Sequence, residues 1–216
     1  MEDRVTSLTE SPSRKDKLLE NAGDLADLLT KRAGIKKVGI VGSLARGKEN
    51  PSDLDFVIFL PPEKVLEHRI DAALRTKTPW YERLDLNESV QDSLKIVLGS
   101  FGSNGINLDV HFLPESFDKK DGKMLKLMFA LSGDPSYMIN AVRDILIFDS
   151  SSGIFKKETI YSPEQISQLE VLNFEALKSL VNDEQRLDEF AQHRGSLKRR
   201  SSPAVQQVVE RFKNRK

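Results

Sequence analysis

The sequence predicts a mixed α/β fold: a small twisted sheet, mixed or mostly antiparallel, backed by helices and followed by a helical C-terminal extension. Three observations predict it. Residues 53–60, Asp-Leu-Asp-Phe-Val-Ile-Phe-Leu, are an apolar run stopped by Pro61-Pro62, the strongest strand signal in the chain. Residues 37–41, Lys-Val-Gly-Ile-Val, are a shorter run of the same kind. Between Ser13 and Arg32, Leu18, Leu19, Ala22, Leu25, Ala26, Leu28 and Leu29 recur at helical spacing, the apolar stripe of an amphipathic helix.

The remaining elements follow in order. Residues 1–12 are polar and read as a loose start. Gly34 stands where a helix C-cap is expected. After Gly42-Ser43 comes a short helical turn at Leu44-Ala45-Arg46, and residues 47–52 contain the Gly, Asn and Pro of a loop. Glu63 to Leu74 reads as a second helix, whereas residues 75–92, with Trp80 and Tyr81, show no clear period. Leu94–Phe101 and Ile106–Leu113 read as two strands, with Gly102-Ser-Asn-Gly105 between them as a hairpin turn. Lys123–Leu131 and Tyr137–Leu146 read as helices, and residues 147–161 carry a Ser-Ser-Ser-Gly turn. Ser162 caps a helix with Pro163 at its first position and Gln165 three residues after the cap. Its apolar stripe runs from Ile166 to Phe190, Gly195 ends it, and Pro203–Phe212 is a last short helix. The chain thus divides into a domain over 1–160 and a helical extension over 161–216.

Composition narrows the function. The 216 residues suffice for one core with a small appendage. Lys+Arg and Asp+Glu are 33 each, so no overall basic excess supports non-specific nucleic-acid binding. There is no Cys, which excludes disulfides, thiolate metal sites and thiol catalysis. The polar N-terminus is unlike a signal peptide and no apolar run spans a membrane, so a cytoplasmic protein is expected. Residues 194–216 carry eight basic side chains against Glu210 alone, a local charge of +7. This reads as a solvated tail, with contact to nucleic acid a weaker reading.

The stretch from Val41 to Ile58 carries the chemistry. A strand ends in Gly42-Ser43 just where a helix starts. Glycine lets the backbone approach phosphate oxygens, a helix N-terminus offers N–H groups to an anion, and the Ser43 hydroxyl adds a donor. Asp53 and Asp55 lie two residues apart on the next strand, so both point to one face, about 6–7 Å apart. Two carboxylates that close repel unless a cation sits between them, and a hard divalent ion such as Mg²⁺ suits them. Asp109 shares a face with His111 on a later strand, opposite Leu108, Val110 and Phe112. Pairing of that strand beside residues 53–60 would bring three carboxylates together. Gly42 to Lys48 also begins like a P-loop, but Glu49 replaces the required Ser or Thr, and Asn50-Pro51 would break the helix that must follow.

Gly42-Ser43, Ser52-Asp53-Leu54-Asp55 and the separate Asp109 resemble the DNA polymerase beta-like nucleotidyltransferase superfamily, and its small bacterial and archaeal members above all. The resemblance is firm over roughly residues 35–60 and extends to 106–113. It implies a nucleoside triphosphate, ATP foremost, on Gly42 and Ser43. It implies two Mg²⁺ ions on Asp53, Asp55 and Asp109, with Asp109 completing the metal nearest the acceptor. Arg46 and Lys48 either neutralise phosphate charge or are exposed loop residues. The expected reaction moves a nucleoside monophosphate to a hydroxyl of a small molecule or a protein and releases pyrophosphate. The alternative is a nucleotide-binding or interaction module with little turnover, such as the antitoxin half of a toxin–antitoxin pair. His111 is expected as a hydrogen-bonded structural histidine, and Trp80 and Tyr81 as packing against the sheet. Arg186 and His193 share a helical face, in a spacing similar to the RNase motif of HEPN toxin domains; 56 residues are too few for that bundle, so the pair is read as coincidence.

Overall fold

The computed structural model describes residues 12–73, 79–118 and 143–169, together with Asp121 and Val171. The first helix, α1 (Arg14–Asp27), starts from a capping box. Ser13 Oγ accepts from the Asp16 N–H at 3.1 Å, and the Asp16 carboxylate accepts from Ser13 N at 3.2 Å. Its apolar stripe buries Leu18, Ala22, Leu25 and Ala26. The last turn of the expected helix, Leu28–Arg32, widens to a π-helix. The widening begins beside Thr30, whose hydroxyl donates to the Ala26 carbonyl at 2.8 Å and competes for a backbone acceptor.

Strand β1 (Val38–Val41) follows, wholly buried, and leads directly into the single turn α2 (Gly42–Ala45). The loop after it is tied to α1: Arg14 donates to the carbonyls of Pro51 and Ser52 at 2.9 and 3.0 Å, and Lys15 pairs with Glu49 at 3.0 Å. β2 (Asp53–Leu60) keeps the expected boundaries, and α3 (Pro62–Ala73) the expected second helix. A 3-10 turn, Trp80–Leu84, lies in the stretch without a clear period.

The chain then departs from expectation. Residues 94–101 are not a strand but the middle of a helix, α4 (Glu88–Ser103). Asn87 caps it by accepting from Val90 N at 3.0 Å, and Val90, Leu94 and Phe101 form its buried face. Ile96 made the run look continuously apolar, yet it points outward and is 77% exposed. Asn104-Gly105 is accordingly a helix ending rather than a hairpin. Gly105 has φ +63°, Ile106 N donates to Phe101 O at 2.8 Å and Gly105 N to Gly102 O at 3.1 Å, the two bonds of a Schellman cap. β3 (Asn107–Pro114) therefore enters the sheet after a helical crossover and pairs with β2 in parallel.

The expected helices at 123–131 and 137–146 fall almost wholly outside the described residues. At the end of the second, Leu146 is not helical but opens β4 (Leu146–Asp149). The Ser-rich turn joins β4 to β5 (Ile154–Lys157) as a hairpin. Asp149 organises that turn: its carboxylate accepts from Ser151 Oγ at 2.6 Å, Ser152 Oγ at 2.8 Å and Lys156 Nζ. The five strands form one mixed sheet in the order β3-β2-β1-β4-β5, antiparallel except for β2 and β3. This is the mixed α/β sheet backed by helices that the sequence predicts. Gly39 permits the β1–β4 contact, since a Cβ there would lie 2.6 Å from the Leu146 carbonyl oxygen.

Of the C-terminal extension, residues up to 169 and Val171 are described. The expected cap is present: Ser162 Oγ accepts from Gln165 N at 3.2 Å, and Gln165 Oε1 from Ser162 N at 2.9 Å. This segment packs on the end of β3. The buried Tyr161 hydroxyl donates to the Pro114 carbonyl, and Gln165 Nε2 donates to Phe117 O at 2.8 Å. The long apolar stripe to Phe190, the Arg186/His193 pair and the basic tail lie outside the described residues. Among the described residues no helix is long and apolar enough to cross a membrane.

Candidate active site

The site gathers at one end of β1 and β2. The register pairs Val41 with Asp55, so the Gly42 turn leaves β1 directly against the Asp55 carboxylate. Gly42 has φ +74°, and a Cβ built there would lie 1.9 Å from Asp55 Oδ2. Only glycine gives both this backbone geometry and this approach. The turn thus forms a cradle with a carboxylate as its wall.

Ser43 follows on α2. Its Oγ is buried and has no hydrogen-bond partner. An orphan hydroxyl is costly in a folded protein, so its presence at this turn marks a place for a ligand acceptor. α2 is one turn long and Val41 gives it no side-chain cap. The carbonyls of Gly42 and Ser43 accept from Arg46 N and Lys48 N at 3.3 and 3.1 Å, closing the turn. Arg46 and Lys48 are exposed, at the rim of this turn rather than in it. No helix follows Lys48, so the P-loop reading fails on structure as well as on Glu49.

On β2, Asp53 and Asp55 are partly buried, while Leu54, Phe56 and Ile58 are fully buried on the opposite face, as the alternation requires. Ser52 Oγ donates to Asp53 Oδ1 at 3.1 Å. In the parallel register Asp109 stands directly beside Asp55, and Asn107 beside Asp53. Adjacent strands are about 5 Å apart, so Asp109 lies within reach of the same ligand as Asp55. The sequence pattern puts the Asp109 strand in a hairpin with residues 94–101 and brings the three acids together only on the condition that it also pairs beside residues 53–60. The structure brings them together through α3 and α4 instead, with the same result for the acids.

His111 was expected as a structural histidine. It stands one pleat beyond Asp109, and its Nε2 lies 3.3 Å from Asp55 Oδ1. It therefore holds one oxygen of the central acid. The shared face of Asp109 and His111 was the signal for this contact; its direction toward Asp55 depends on strand register. Trp80 and Tyr81 pack against the core edge in an edge-to-face pair, with Trp80 also 6.4 Å from Phe112. Arg83, on the same 3-10 turn, carries buried Nε and Nη1 atoms with no hydrogen-bond partner. Nothing in the sequence pattern pointed to it.

Among the described residues, no three His, Asp or Glu side chains are drawn together into a ready-made metal cage. That is compatible with Mg²⁺. This ion keeps several waters and is commonly held by one or two carboxylates plus substrate phosphates. The donor set fits: Asp53 and Asp55 supply hard oxygen ligands, with the Asp55 carboxylate packed on the Gly42 turn and the unsatisfied Ser43 hydroxyl next to it.

Comparison with known proteins agrees with this geometry. Residues 24–99 match the family model of the nucleotidyltransferase domain, a stretch that contains β1, the Gly-Ser turn and β2. No curated protein and no solved structure matches the chain significantly. The matched stretch holds the Gly42 turn and Asp55, so residues 24–99 are similar to a nucleotidyltransferase domain of the polymerase beta-like superfamily, whose members transfer phosphorus-containing groups.

Proposed function

We propose that this protein moves a nucleoside monophosphate from a nucleoside triphosphate, ATP foremost, to a hydroxyl acceptor in an Mg²⁺-dependent reaction. The observation that carries the reading is the Gly42 turn closed onto Asp55, with the orphan Ser43 hydroxyl next to it. Gly42 and Ser43 hold the triphosphate, the glycine by admitting it to the backbone and the serine by donating its hydroxyl. Arg46 and Lys48, at the exposed rim, offset the charge of its outer phosphates. Asp53, Asp55 and Asp109 would hold two Mg²⁺ ions, which when bound supply neutralisation of phosphate charge and a lowered acceptor pKa. His111 orients Asp55 through Oδ1 and leaves Oδ2 toward the Gly42 cradle.

In the transfer, the acceptor hydroxyl oxygen forms a bond to the α-phosphorus. The bond from that phosphorus to the bridging oxygen of the β-phosphate breaks, and pyrophosphate leaves with the electron pair. Asp109, the most exposed of the three acids, takes the hydroxyl proton. The acceptor is a small molecule or a protein side chain.

The test is transfer of label from nucleoside triphosphates radiolabelled at the α-phosphate, with Mg²⁺, into fractions of a cell lysate. Label from the α position but not from the γ position, and none with an Asp53→Ala/Asp55→Ala double variant, is the expected result. Equal labelling by the double variant would refute the site. No labelling with any of the four nucleotides would refute the transfer reading in favour of a binding module.

A further inference from the structure

Asp53 and Asp55 are not held alike. Asp55 lies inside β2, with Val41 of β1 on one side, Asp109 of β3 on the other and His111 on its carboxylate. Asp53 is the first residue of β2. β1 has already turned away at Gly42, so Asp53 has a strand partner on one side only, Asn107. A strand end held by one neighbour frays unless the chain that leads into it is fixed.

Arg14 fixes it. Residues 47–52 form neither helix nor strand. The ring of the buried Pro51 sets one backbone torsion. Arg14 then donates from Nε to the Pro51 carbonyl at 2.9 Å and from Nη2 to the Ser52 carbonyl at 3.0 Å. Nε and Nη2 are the parallel donors on one edge of a guanidinium, so one rigid plane holds two successive peptide groups. The second of these peptide groups carries the Asp53 N–H. Ser52 in turn donates its Oγ to Asp53 Oδ1 at 3.1 Å. Arg14 is itself anchored. It is the first residue of α1, inside the Ser13–Asp16 capping box, and the buried stripe of α1 seats that helix on the core.

We propose that Arg14 is a positioning residue for metal binding: by gripping the Pro51 and Ser52 carbonyls it holds Asp53 in line with Asp55. This rests on the metal role of Asp53 in the function proposed above. The sign of the effect separates a brace from a charge. A cation beside two carboxylates repels a metal ion, so removing Arg14 as a charge would tighten metal binding. Removing it as a brace weakens binding. Lys15 is the control, since it carries the same charge and reaches the same loop through the Glu49 side chain at 3.0 Å.

The test is titration of the full-length protein with Mn²⁺ as the probe, far below the melting temperature, with free Mn²⁺ read by electron paramagnetic resonance. Asp53→Asn weakens binding most. Arg14→Gln weakens it about 3- to 10-fold, less than the loss of a group bonded directly to a metal ligand, because Arg14 acts through the backbone. Arg14→Lys keeps the charge and one donor but not the fork, and falls between Arg14→Gln and wild type. Lys15→Gln binds as wild type does or slightly more tightly. A merely structural role would lower the melting temperature of Arg14→Gln and leave the Mn²⁺ affinity of the folded protein unchanged. The proposal is overturned if Arg14→Gln binds Mn²⁺ as tightly as wild type or more so, or if Lys15→Gln weakens binding equally. Should Arg14→Gln fail to fold, Arg14→Lys decides, and wild-type affinity there overturns the proposal. A loss confined to Asp53→Asn sinks the role of Arg14 alone. Equal binding by Asp53→Asn and wild type, or no binding by wild type, sinks the metal reading of Asp53 and the role of Arg14 with it.

Discussion

Gly42→Ala perturbs the site at its tightest point, and two separate costs can be worked from the structure. The first is conformational. Alanine at φ +74° sits in the left-handed region, which costs about 1–2 kcal/mol for a residue with a Cβ. The second is steric. The new methyl would be 1.9 Å from Asp55 Oδ2 and 2.8 Å from its Cγ, so the carboxylate or the turn must move, at about 1–3 kcal/mol for an overpacked contact. Together these lower the melting temperature by roughly 5–20 °C for a chain of this size. Gly47→Ala separates the two. Gly47 has φ +79° but nothing within 4 Å of its ideal Cβ, so it bears only the conformational cost, roughly 2–8 °C. In an Asp55→Ala background most of the steric cost of Gly42→Ala should disappear, leaving only the contact with the Cβ of residue 55 at 3.2 Å, and the two alanine substitutions should come close together. Thermal melts followed by circular dichroism measure all of these, and nucleotide affinity measured in parallel should fall for Gly42→Ala but not for Gly47→Ala. If Gly42→Ala melts with Gly47→Ala in the wild-type background and still binds nucleotide, the cradle against Asp55 is not the tight contact described here.

Two other outcomes follow from particular groups. Ser43→Ala removes a hydroxyl that has no partner in the free protein, so stability should hold or rise. The affinity for a non-hydrolysable ATP analogue should drop by about five- to tenfold, one hydrogen bond's worth; unchanged affinity would remove Ser43 from the nucleotide site. Tyr161→Phe leaves the buried Pro114 carbonyl without its donor and should cost about 1–3 kcal/mol, read by urea denaturation. Burial also pushes the Tyr161 hydroxyl well above its ordinary value. Folding therefore favours the neutral phenol, and its contribution is complete below pH ~10 and is lost as pH rises beyond that. Wild type should lose stability in alkali more steeply than Tyr161→Phe, and parallel curves would contradict the buried phenol.

The local chemistry of this protein was legible in its sequence. Pro61-Pro62 ends β2, alternation puts Asp53 and Asp55 opposite Leu54, Phe56 and Ile58, and Ser162 with Gln165 caps its helix; each depends on neighbours a few residues away. The helix at 88–103 was misread because one outward isoleucine, Ile96, completed an apparently continuous apolar run, and the same Asn-Gly pair serves a hairpin and a Schellman cap equally well. Other features depended on the third dimension. The parallel register that sets Asp109 beside Asp55, the 3.3 Å approach of His111 and the packing of the Asp55 carboxylate on Gly42 depend on how strands far apart in the chain are laid together. The grip of Arg14 on the Pro51 carbonyl joins the start of α1 to a loop 37 residues later. Period and capping are short-range properties and can be read from spacing. Register and enclosure are settled only when the whole core packs, because a strand's partners are chosen by the total apolar surface buried and not by its own residues.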